Sequence, residues 1–342
     1  MHSITEALVF PYHRGLIGRL TSDARLLFLN AENPALPETT FAVLVQARYD
    51  KAAPFIKASL EVLDTPPNGG EFDTAWLLPG KEMQETQFLL AEAARAVKDG
   101  GMIVAAAPND AGGKRLAGLF ETLGLSPNEE SKHKARVVFA SVDAGWNKKQ
   151  ADIWFAAGQE QTILNSNILS RPGLHGWDKI DDGSALLAQH LPADLAGSVA
   201  DFGCGWGYLS LQAAAVAKGI TRLTLIDIDA RAISIARRNV QNLHPALPAD
   251  TLWTDLTQPD TYPGPFDAIL LNPPFHAGTH ADPALGQSII MTAARCLTPS
   301  GRLYLVANRH LPYEKTLHAL FSQVSLLSEE KGFKVFLASH RK

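Results

Sequence analysis

The sequence has few cysteines and no long hydrophobic run, and each absence excludes a class of protein. Cys204 and Cys296 are its only cysteines, which rules out a disulfide framework and a four-cysteine zinc site and fits a reducing compartment. No apolar stretch approaches the roughly 20 residues that a membrane-spanning helix needs. Residues 1–6 lack the basic region and apolar core of a secretory signal. We therefore expect a cytoplasmic protein with no membrane partner and no metal centre.

Positive charge is not in excess either, since 31 Lys and Arg residues face 35 Asp and Glu residues and the formal net charge is −4. A protein that coats nucleic acid is usually basic, so this balance argues against that class. Basic residues still concentrate in two zones, residues 114–149 and 302–342. Each zone is compatible with ordinary solvated surface charge, or the two could contact a phosphate backbone at a defined place.

Two parts of the chain resemble each other at an offset of about 200 residues. The matched pairs, in chain order, are 72–79 with 266–273, 93–95 with 293–295, 101–104 with 301–304, 119–120 with 320–321 and 136–141 with 334–339. Each series reads as strand, helix, strand, helix and strand, with short apolar runs that suit buried parallel strands. We therefore predict an α/β fold of two tandem Rossmann-like domains that arose by internal duplication.

The two copies are not equivalent in their candidate functional residues. The first has no Asp-x-Gly-x-Gly-x-Gly turn, and it carries Leu78-Pro79-Gly80-Lys81 where the second carries Asn272-Pro273-Pro274-Phe275. We predict that residues 1–145 form a degenerate domain that supports folding or docks the substrate. Residues 146–195 are predicted to be a linker with an entry helix, and residues 196–342 to be the catalytic domain.

A glycine-rich turn follows an apolar strand in the second copy. Residues 198–202 run into Gly203, Gly205 and Gly207, and residues 209–217 then read as a helix. Glycine permits positive φ and close approach of the backbone to a ligand, and a strand, glycine turn and helix N-terminus build a nucleotide site at the end of a parallel sheet. The strict alternation of glycines differs from the dinucleotide fingerprint. The spacing therefore favours a ligand without a pyrophosphate, and we predict S-adenosylmethionine, whose methionine part can lie close to such a backbone.

Three acidic residues are placed to bind parts of that cofactor. Asp201, just before the glycines, can bind its ammonium group. Asp227 ends a second strand and can accept bonds from ribose hydroxyls, with a helix N-cap as the structural alternative. Asp255 follows a third strand and can accept a bond from the adenine amino group, while the backbone of Leu256 donates another. Cys204 is a conceivable nucleophile for cytosine chemistry, but a small packing residue suffices at that place in the turn.

The most specific feature is Asn272-Pro273-Pro274-Phe275, directly after the strand-like run 267–271, which is apolar from Ala268 onward. Methyl transfer to an exocyclic amine needs the nitrogen held in line with the sulfur–methyl bond. Asn272 offers a side-chain carbonyl oxygen, and Pro273 offers a main-chain carbonyl in a turn that consecutive prolines stiffen. Phe275 offers a ring that can stack on a base. These three are the candidate catalytic residues.

The motifs resemble those of class I S-adenosylmethionine-dependent methyltransferases with an Asn-Pro-Pro-aromatic motif. The whole chain resembles the RsmC family of small-subunit ribosomal RNA guanine-N2 methyltransferases and the related large-subunit enzymes of the RlmG type. The segments that carry the resemblance are 272–276, 306–313 and 333–336, with Asp181-Asp182-Gly183-Ser184 matching the family's Asp-x-Gly-Ser. That last segment also reads as a helix start, with Ser184 or Asp182 as the predicted N-cap.

The resemblance implies transfer of a methyl group from S-adenosylmethionine to N2 of one guanine in 16S ribosomal RNA. The cofactor residues that it implies are Asp201, Gly203, Gly205, Asp227 and Asp255, the last departing from the Asn of some members. The amino-group clamp that it implies is Asn272, Pro273 and Phe275. The implied partner is ribosomal RNA within the small subunit, with no obligate protein partner evident.

The catalytic residues alone do not separate one planar amine or amide from another. A similar clamp methylates glutamine side chains in protein release factors and adenine in DNA, and large-subunit ribosomal RNA is a further alternative. The duplicated half and residues 308–313 favour ribosomal RNA. A non-catalytic RNA-binding module would predict damage to the glycine turn or to the clamp, and the sequence shows none.

Overall fold

A computed structural model of the protein describes residues 4–32, 41–67, 71–164, 166–258, 260–274, 276–277, 280–281 and 283–342. The chain divides into two compact units. The first is Met1–Glu160 with Arg171–Gly173, and the second is Gln161–Ser170 with Leu174–Lys342. The segment 146–195, predicted as a linker, is therefore shared between the two units. Within the described ranges, no helix is both long enough and apolar enough to cross a membrane.

The first unit is built around a seven-stranded sheet. Its strands are β1 (Arg25–Leu29), β2 (Phe41–Val45), β3 (Val62–Leu63), β4 (Phe72–Leu77), β5 (Val97–Pro108), β6 (Asn128–Lys132) and β7 (Ala135–Ser141). Its helices are α1 (Ile4–His13), α2 (Tyr49–Lys57), α3 (Met83–Ala96), α4 (Leu116–Thr122) and α5 (Lys148–Gly158), with a short 3₁₀ turn at Gly113–Arg115. Helix α5 thus belongs to this unit.

The second unit is built around another seven-stranded sheet and two short hairpins. Its strands are β8 (Gln161–Ile163), β9 (Ile168–Ser170), β10 (Ala196–Phe202), β11 (Gly219–Asp227), β12 (Ala249–Trp253), β13 (Phe266–Leu271), β14 (His276–Ala277), β15 (His280–Ala281), β16 (Leu297–Asn308), β17 (Phe321–Glu330) and β18 (Phe333–Arg341). Its helices are α6 (Asp182–Ala188), α7 (Tyr208–Val216), α8 (Ala230–Leu243), α9 (Pro283–Cys296) and α10 (Tyr313–Leu320).

Both sheets have the same topology. The strand orders are β3-β2-β1-β4-β5-β7-β6 and β12-β11-β10-β13-β16-β18-β17. Neighbouring strands are parallel except at β7 and β18, each of which is antiparallel to both of its neighbours. The strand pairing also repeats, because an irregularity falls between Phe72 and Thr74 in one sheet and between Phe266 and Ala268 in the other. The predicted fold of two tandem Rossmann-like domains is confirmed.

Each sheet is buried on both faces. In β1, Leu27 and Leu29 pack with helices α3 to α5, while Leu26 and Phe28 pack with α1 and α2 on the opposite face. In the second unit, one face of the sheet packs with α6 to α8 and the other with α9 and α10. Successive strand residues point to opposite faces, so the short apolar runs of the sequence fill two cores at once.

Candidate functional site

The parallel strands of the second unit end at one edge of its sheet, where the topology changes direction. The chain passes from β10 to β11 on one side and reaches β13 on the other side. Open α/β sheets bind ligands at such a switch point, outside the carboxyl ends of the strands. Phe202 at the end of β10 pairs with Leu271 at the end of β13. The glycine turn and Asn272 therefore leave adjacent strands side by side.

The glycine turn has a backbone conformation that favours glycine. Gly203, Gly205 and Gly207 have φ angles of 78°, 53° and 96°. A Cβ at Gly203 or Gly205 would meet no atom within 4 Å, whereas a Cβ at Gly207 would lie 3.1 Å from Cβ of Ala236. The N–H of Gly205 donates to the carboxylate of Asp227 at 2.9 Å. Gly203 and Gly205 therefore border open space, while Gly207 allows the turn to pack against α8.

Asp201 lies beneath this turn and is 1% exposed. Its Oδ2 accepts hydrogen bonds from the backbone N–H of Ser210 at 3.1 Å and from the Ser210 hydroxyl at 2.7 Å. Its Oδ1 is buried without a hydrogen-bond partner among the described residues. Burial raises the pKa of Asp201 to about 6, the bonds from Ser210 act to lower it, and the charge of Asp227 acts to raise it. A buried acceptor that lacks a donor calls for an explanation, and a bound ligand supplies one.

Asp227 is half-buried at the end of β11 and faces the glycine turn. Besides the bond from Gly205, its Oδ1 accepts a hydrogen bond from the N–H of Asp229 at 2.9 Å. The N-cap of α8 is Asp229, whose Oδ1 accepts from the N–H of Arg231 at 2.9 Å. The structural alternative for Asp227, an N-cap, is therefore filled by Asp229. Ribose binding by Asp227 stays a prediction.

Asp255 and Leu256 are buried after the end of β12. The Asp255 Oδ1 accepts from the N–H of Thr257 at 2.9 Å and from its hydroxyl at 2.6 Å, and Oδ2 accepts from Nε2 of Gln258 at 2.9 Å. The hydroxyl of Thr261 donates to the main-chain carbonyl of Asp255 at 3.0 Å. Asp255 thus shapes its own loop. The predicted contacts of Asp255 and Leu256 with adenine stay predictions.

The side-chain amide of Asn272 is bound to helix α6. Its Nδ2 lies 2.8 Å from Oδ2 of Asp181 and 2.8 Å from Oγ of Ser184. An ionised carboxylate only accepts hydrogen bonds, so the nitrogen end of the amide must face Asp181. The carbonyl oxygen of Asn272 is left over, and no described residue donates a hydrogen bond to it.

The N-cap of α6 is Asp181, so the sequence prediction of Asp182 or Ser184 is wrong. Oδ2 of Asp181 accepts a hydrogen bond from the N–H of Ser184 at 2.8 Å, and the backbone of Asp181 is extended. A side chain in this position reaches the third N–H of the helix, which has no partner within the helix. Asp182, the first helical residue, is exposed.

The remaining residues of the predicted clamp are only partly described. Pro273 is buried and Pro274 is exposed, and the role of the Pro273 carbonyl stays a prediction. Phe275 lies outside the described residues, so its stacking role also stays a prediction.

Cys204 in the glycine turn is buried. Burial first, and then the negative charges of Asp227 and Asp201, hold the pKa of its thiol well above the usual value. A neutral thiol is a weak nucleophile. The geometry favours the packing interpretation of Cys204.

Two residues that the sequence did not single out tie the hairpin β8–β9 and the following loop to the glycine turn. Asn239 of α8 is fully buried; it accepts from the N–H of Leu169 at 2.8 Å and donates to the carbonyls of Leu169 at 2.9 Å and Trp206 at 2.8 Å. The indole N–H of Trp206 donates to the carbonyl of Gly176 at 3.1 Å. The available signal was an asparagine three residues after Ala236, on the apolar face of α8, where a polar side chain needs buried partners.

The first unit has other residues at the corresponding strand ends. The strand registers align Phe28 with Asp201, Asn30 with Gly203, Gln46 with Asp227 and Leu78 with Asn272. The side chain of Asn30 donates to the carbonyl of Leu78 at 3.0 Å, and that of Gln46 donates to the carbonyl of Ala31 at 2.9 Å. The polar side chains at this edge are therefore used by the backbone of their own unit.

Comparison with known proteins shows which family the chain belongs to. Residues 165–337 match the family described as the Methyltransferase small domain. The chain is 30% identical over 329 residues to the Ribosomal RNA small subunit methyltransferase C of Shewanella sp. (strain MR-7). The matched residues cover 92% of this chain and 94% of that relative. The chain belongs to the ribosomal RNA small subunit methyltransferase C family. The predicted family and the predicted class of enzyme, a methyltransferase, are confirmed.

Other members of the ribosomal RNA small subunit methyltransferase C family give the same result. The Aeromonas hydrophila protein of that name is 30% identical over 271 residues, which is 78% of this chain and 77% of the relative. A solved structure, that of the T. thermophilus 16S rRNA N2 G1207 methyltransferase (RsmC) in complex with AdoMet and Guanosine, is 25% identical with a TM-score of 0.76. It covers 93% of this chain and 88% of its own, so the likeness extends to both units.

Proposed function

We propose that this protein transfers a methyl group from S-adenosylmethionine to the exocyclic N2 of a guanine in 16S ribosomal RNA. The observation that carries the proposal is the side chain of Asn272 at the switch point of the sheet, whose carbonyl oxygen is not engaged by the described residues. Relatives named for small-subunit ribosomal RNA methylation, and a structural neighbour bound to AdoMet and guanosine, support the choice of substrate.

The residues around the glycine turn fit S-adenosylmethionine. Gly203 and Gly205 let a ligand lie against the backbone, since a Cβ at either position would enter open space. The buried Oδ1 of Asp201 can accept from an ammonium group. Asp227 lies at the strand end where such folds bind ribose hydroxyls. When bound, the cofactor supplies an electrophilic methyl group on a sulfonium.

The proposed clamp acts by holding the nitrogen and forms no covalent intermediate. Oδ1 of Asn272 accepts a hydrogen bond from the guanine amino group, and the Pro273 carbonyl accepts the second one, which aligns the nitrogen for attack. Phe275 stacks on the base. The thiol of Cys204 takes no part because its raised pKa keeps it protonated. The proton that the amine loses goes to solvent.

The proposed partner is ribosomal RNA of the small subunit, in the cytoplasm. A stacked base must leave its neighbours to enter the site, at a cost of a few kcal/mol. We assign the first unit to RNA docking and support of folding, since Phe28, Gln46 and Leu78 give it no equivalent of the catalytic groups.

Product mapping tests this proposal. The protein is incubated with labelled S-adenosylmethionine and, separately, with undermethylated small subunits, free 16S RNA, 23S RNA and a release factor, and the products are digested and analysed by mass spectrometry. We expect N2-methylguanine in 16S RNA, and none from the Asn272→Ala variant. N2-methylguanine only in 23S RNA would show that the substrate is large-subunit RNA instead of 16S RNA. A product on glutamine or on adenine N6 would refute the proposal.

A further inference from the structure

We propose that Asp181, with Ser184, is a positioning residue for methyl transfer, because it fixes which end of the Asn272 amide faces the substrate. The inference rests on the proposed function, in which Asn272 accepts a hydrogen bond from the amine that is methylated. It adds to the site a helix that lies outside the glycine turn and outside the Asn-Pro-Pro-Phe segment.

The two ends of an asparagine amide are nearly equal in size, so hydrogen bonds decide its orientation. If the Asn272 amide turned over, its oxygen would face the carboxylate of Asp181, and two acceptors would meet where 2.8 Å now separates a donor from an acceptor. The same rotation would turn the NH₂ group of Asn272 toward the substrate amine. Both groups donate hydrogen bonds, so no hydrogen bond could form between them. Only the observed orientation presents the acceptor that the reaction needs.

Ser184 strengthens this selection. Its Oγ lies 2.8 Å from Nδ2 of Asn272, so the NH₂ group has an acceptor for each of its hydrogens. A fully satisfied group is costly to move, because rotation would leave partly buried polar atoms without partners. The amide nitrogen of Asn272 is therefore held by two hydrogen bonds, one to Asp181 and one to Ser184.

The position of Asp181 is itself fixed. Its Oδ2 also accepts from the N–H of Ser184 at 2.8 Å as the cap of α6. Gly183 lets the helix start approach its neighbours, since a Cβ there would lie 3.0 Å from the Phe333 ring and 3.2 Å from Oδ2 of Asp181. Helix α6 packs on β16, β18 and α7. The orientation of Asn272 is thus tied to the core of the catalytic unit.

A purely structural tie between α6 and β13 would give a different result from a positioning role. Loss of a structural tie lowers both the thermal midpoint and the affinity for the methyl donor S-adenosylmethionine (the donor affinity). The rate of methyl transfer for each folded molecule then changes little. Loss of positioning lowers kcat, while KM for RNA and the Kd for S-adenosylmethionine stay unchanged. The reason is that a wrongly oriented Asn272 amide matters only when the substrate amine must be held for attack.

Three variants test the proposal by single-turnover and steady-state methyl-transfer kinetics, which give kcat and KM for RNA, and by calorimetry of S-adenosylmethionine binding. Ser184→Ala removes one acceptor and keeps the backbone cap bond, and we expect kcat to fall about 5-fold. Asp181→Ala removes the orienting carboxylate, and we expect a fall of about 10²-fold. Asp181→Asn keeps an acceptor oxygen and a good N-cap, so we expect it to recover most of that loss.

Ser322→Ala is the matched control, because it removes a hydroxyl of the same unit that donates to the carbonyl of His340 at 2.7 Å. Its kcat should equal that of the unmodified protein. The positioning role is overturned if the Asp181 and Ser184 variants keep full kcat, or if donor affinity falls in parallel with kcat. These rates are measured on whichever amine the unmodified protein methylates, so a failure of the guanine assignment is seen separately in the product map.

Discussion

The two units share one strand order and one strand register, yet they differ in the side chains that the described residues place at the carboxyl ends of these strands. Where the second has the buried carboxylate of Asp201, the first has Phe28, whose ring lies edge-on to that of Trp76 with 5.6 Å between centroids. Where the second has Asp227, the first has Gln46, whose side chain donates to a nearby main-chain carbonyl. The side chains at the strand ends therefore differ while the topology is the same.

This comparison separates what specifies the fold from what specifies the site. Apolar residues that alternate between two buried faces build both sheets, and the residues just beyond the strand ends lie outside that pattern. A few substitutions there can abolish a site while the core stays intact, since function is carried by sites placed on a fold. Exchanging residues between equivalent positions tests this directly.

Replacing Asn272 with leucine, the residue at the equivalent position of the first unit, has the largest expected effect. We expect kcat to fall about 10³-fold, because the substrate amine loses a fixed acceptor. Donor affinity, measured by calorimetry, should stay within about twofold, since the side chain bonds to α6 and not to the glycine turn. A parallel loss of donor affinity would make Asn272 a cofactor-binding residue instead.

Replacing Gly203 with asparagine, its counterpart at position 30, should act on cofactor binding. Asparagine tolerates positive φ better than most residues, and a Cβ at Gly203 meets no atom within 4 Å, so the thermal midpoint should change little. The side chain would enter the open space assigned to the cofactor, and we expect donor affinity to fall about 10²-fold. The reverse exchange, Asn30→Gly, is the control. Unchanged affinity of Gly203→Asn for S-adenosylmethionine would contradict cofactor binding at this turn.

Asp201→Asn should raise stability and weaken donor binding. Because the pKa of Asp201 is raised to about 6 in the folded state, the folded protein holds a proton that the unfolded chain has lost between about pH 4 and pH 6. Stability from this group is therefore present below pH 4 and is lost as the pH rises through 6. The variant should be more stable at pH 7.5 by about 1–3 kcal/mol, with a flatter pH dependence.

Denaturant unfolding at pH 4.5, 6 and 7.5 measures this effect, with the exposed Asp260→Asn as a control for the loss of a charge. Donor affinity of Asp201→Asn should fall about tenfold, because the ammonium group loses its charged partner. If Asp201→Asn binds S-adenosylmethionine as tightly as the unmodified protein does, the proposed contact between Asp201 and the ammonium group is contradicted.

The smallest effect on activity is expected from Leu78→Asn, which places the amide in the first unit. An asparagine at this buried position should cost about 1–3 kcal/mol of stability, because its polar group lacks partners. No methyl transfer should appear when the change is made together with Asn272→Leu, since Phe28 and Gln46 remain. Labelled-donor assays check this, and recovered transfer would mean that the first unit keeps a working cofactor site.

The position of the candidate site in the fold could be predicted because its signals are local. The alternating glycines, Asp227 and Asn272 each directly follow an apolar run, and the strand order of each unit places these runs at one edge. The duplication was visible because equivalent strands keep their apolar pattern.

Other parts were beyond sequence reasoning for physical reasons. Asn272 is separated from Asp181 and Ser184 by 91 and 88 residues, and no periodicity links them. The N-cap was misplaced because neighbouring polar residues compete for one role and only geometry chooses among them. The side chain of Asp255 bonds to its own loop, a local contact that composition does not show, and its predicted contact with adenine stays a prediction.

The bonds from Asn272 to α6 also set where the second unit can be cut without losing the partners of Asn272. A fragment trimmed at residue 196 would keep every strand from β10 to β18 and would look complete by its sheet. It would nevertheless lack Asp181 and the hairpin that Asn239 holds. A cut that excises or transplants the second unit should therefore lie ahead of Gln161, because a start at residue 196 also takes Leu186 and Leu187 of α6 out of the core.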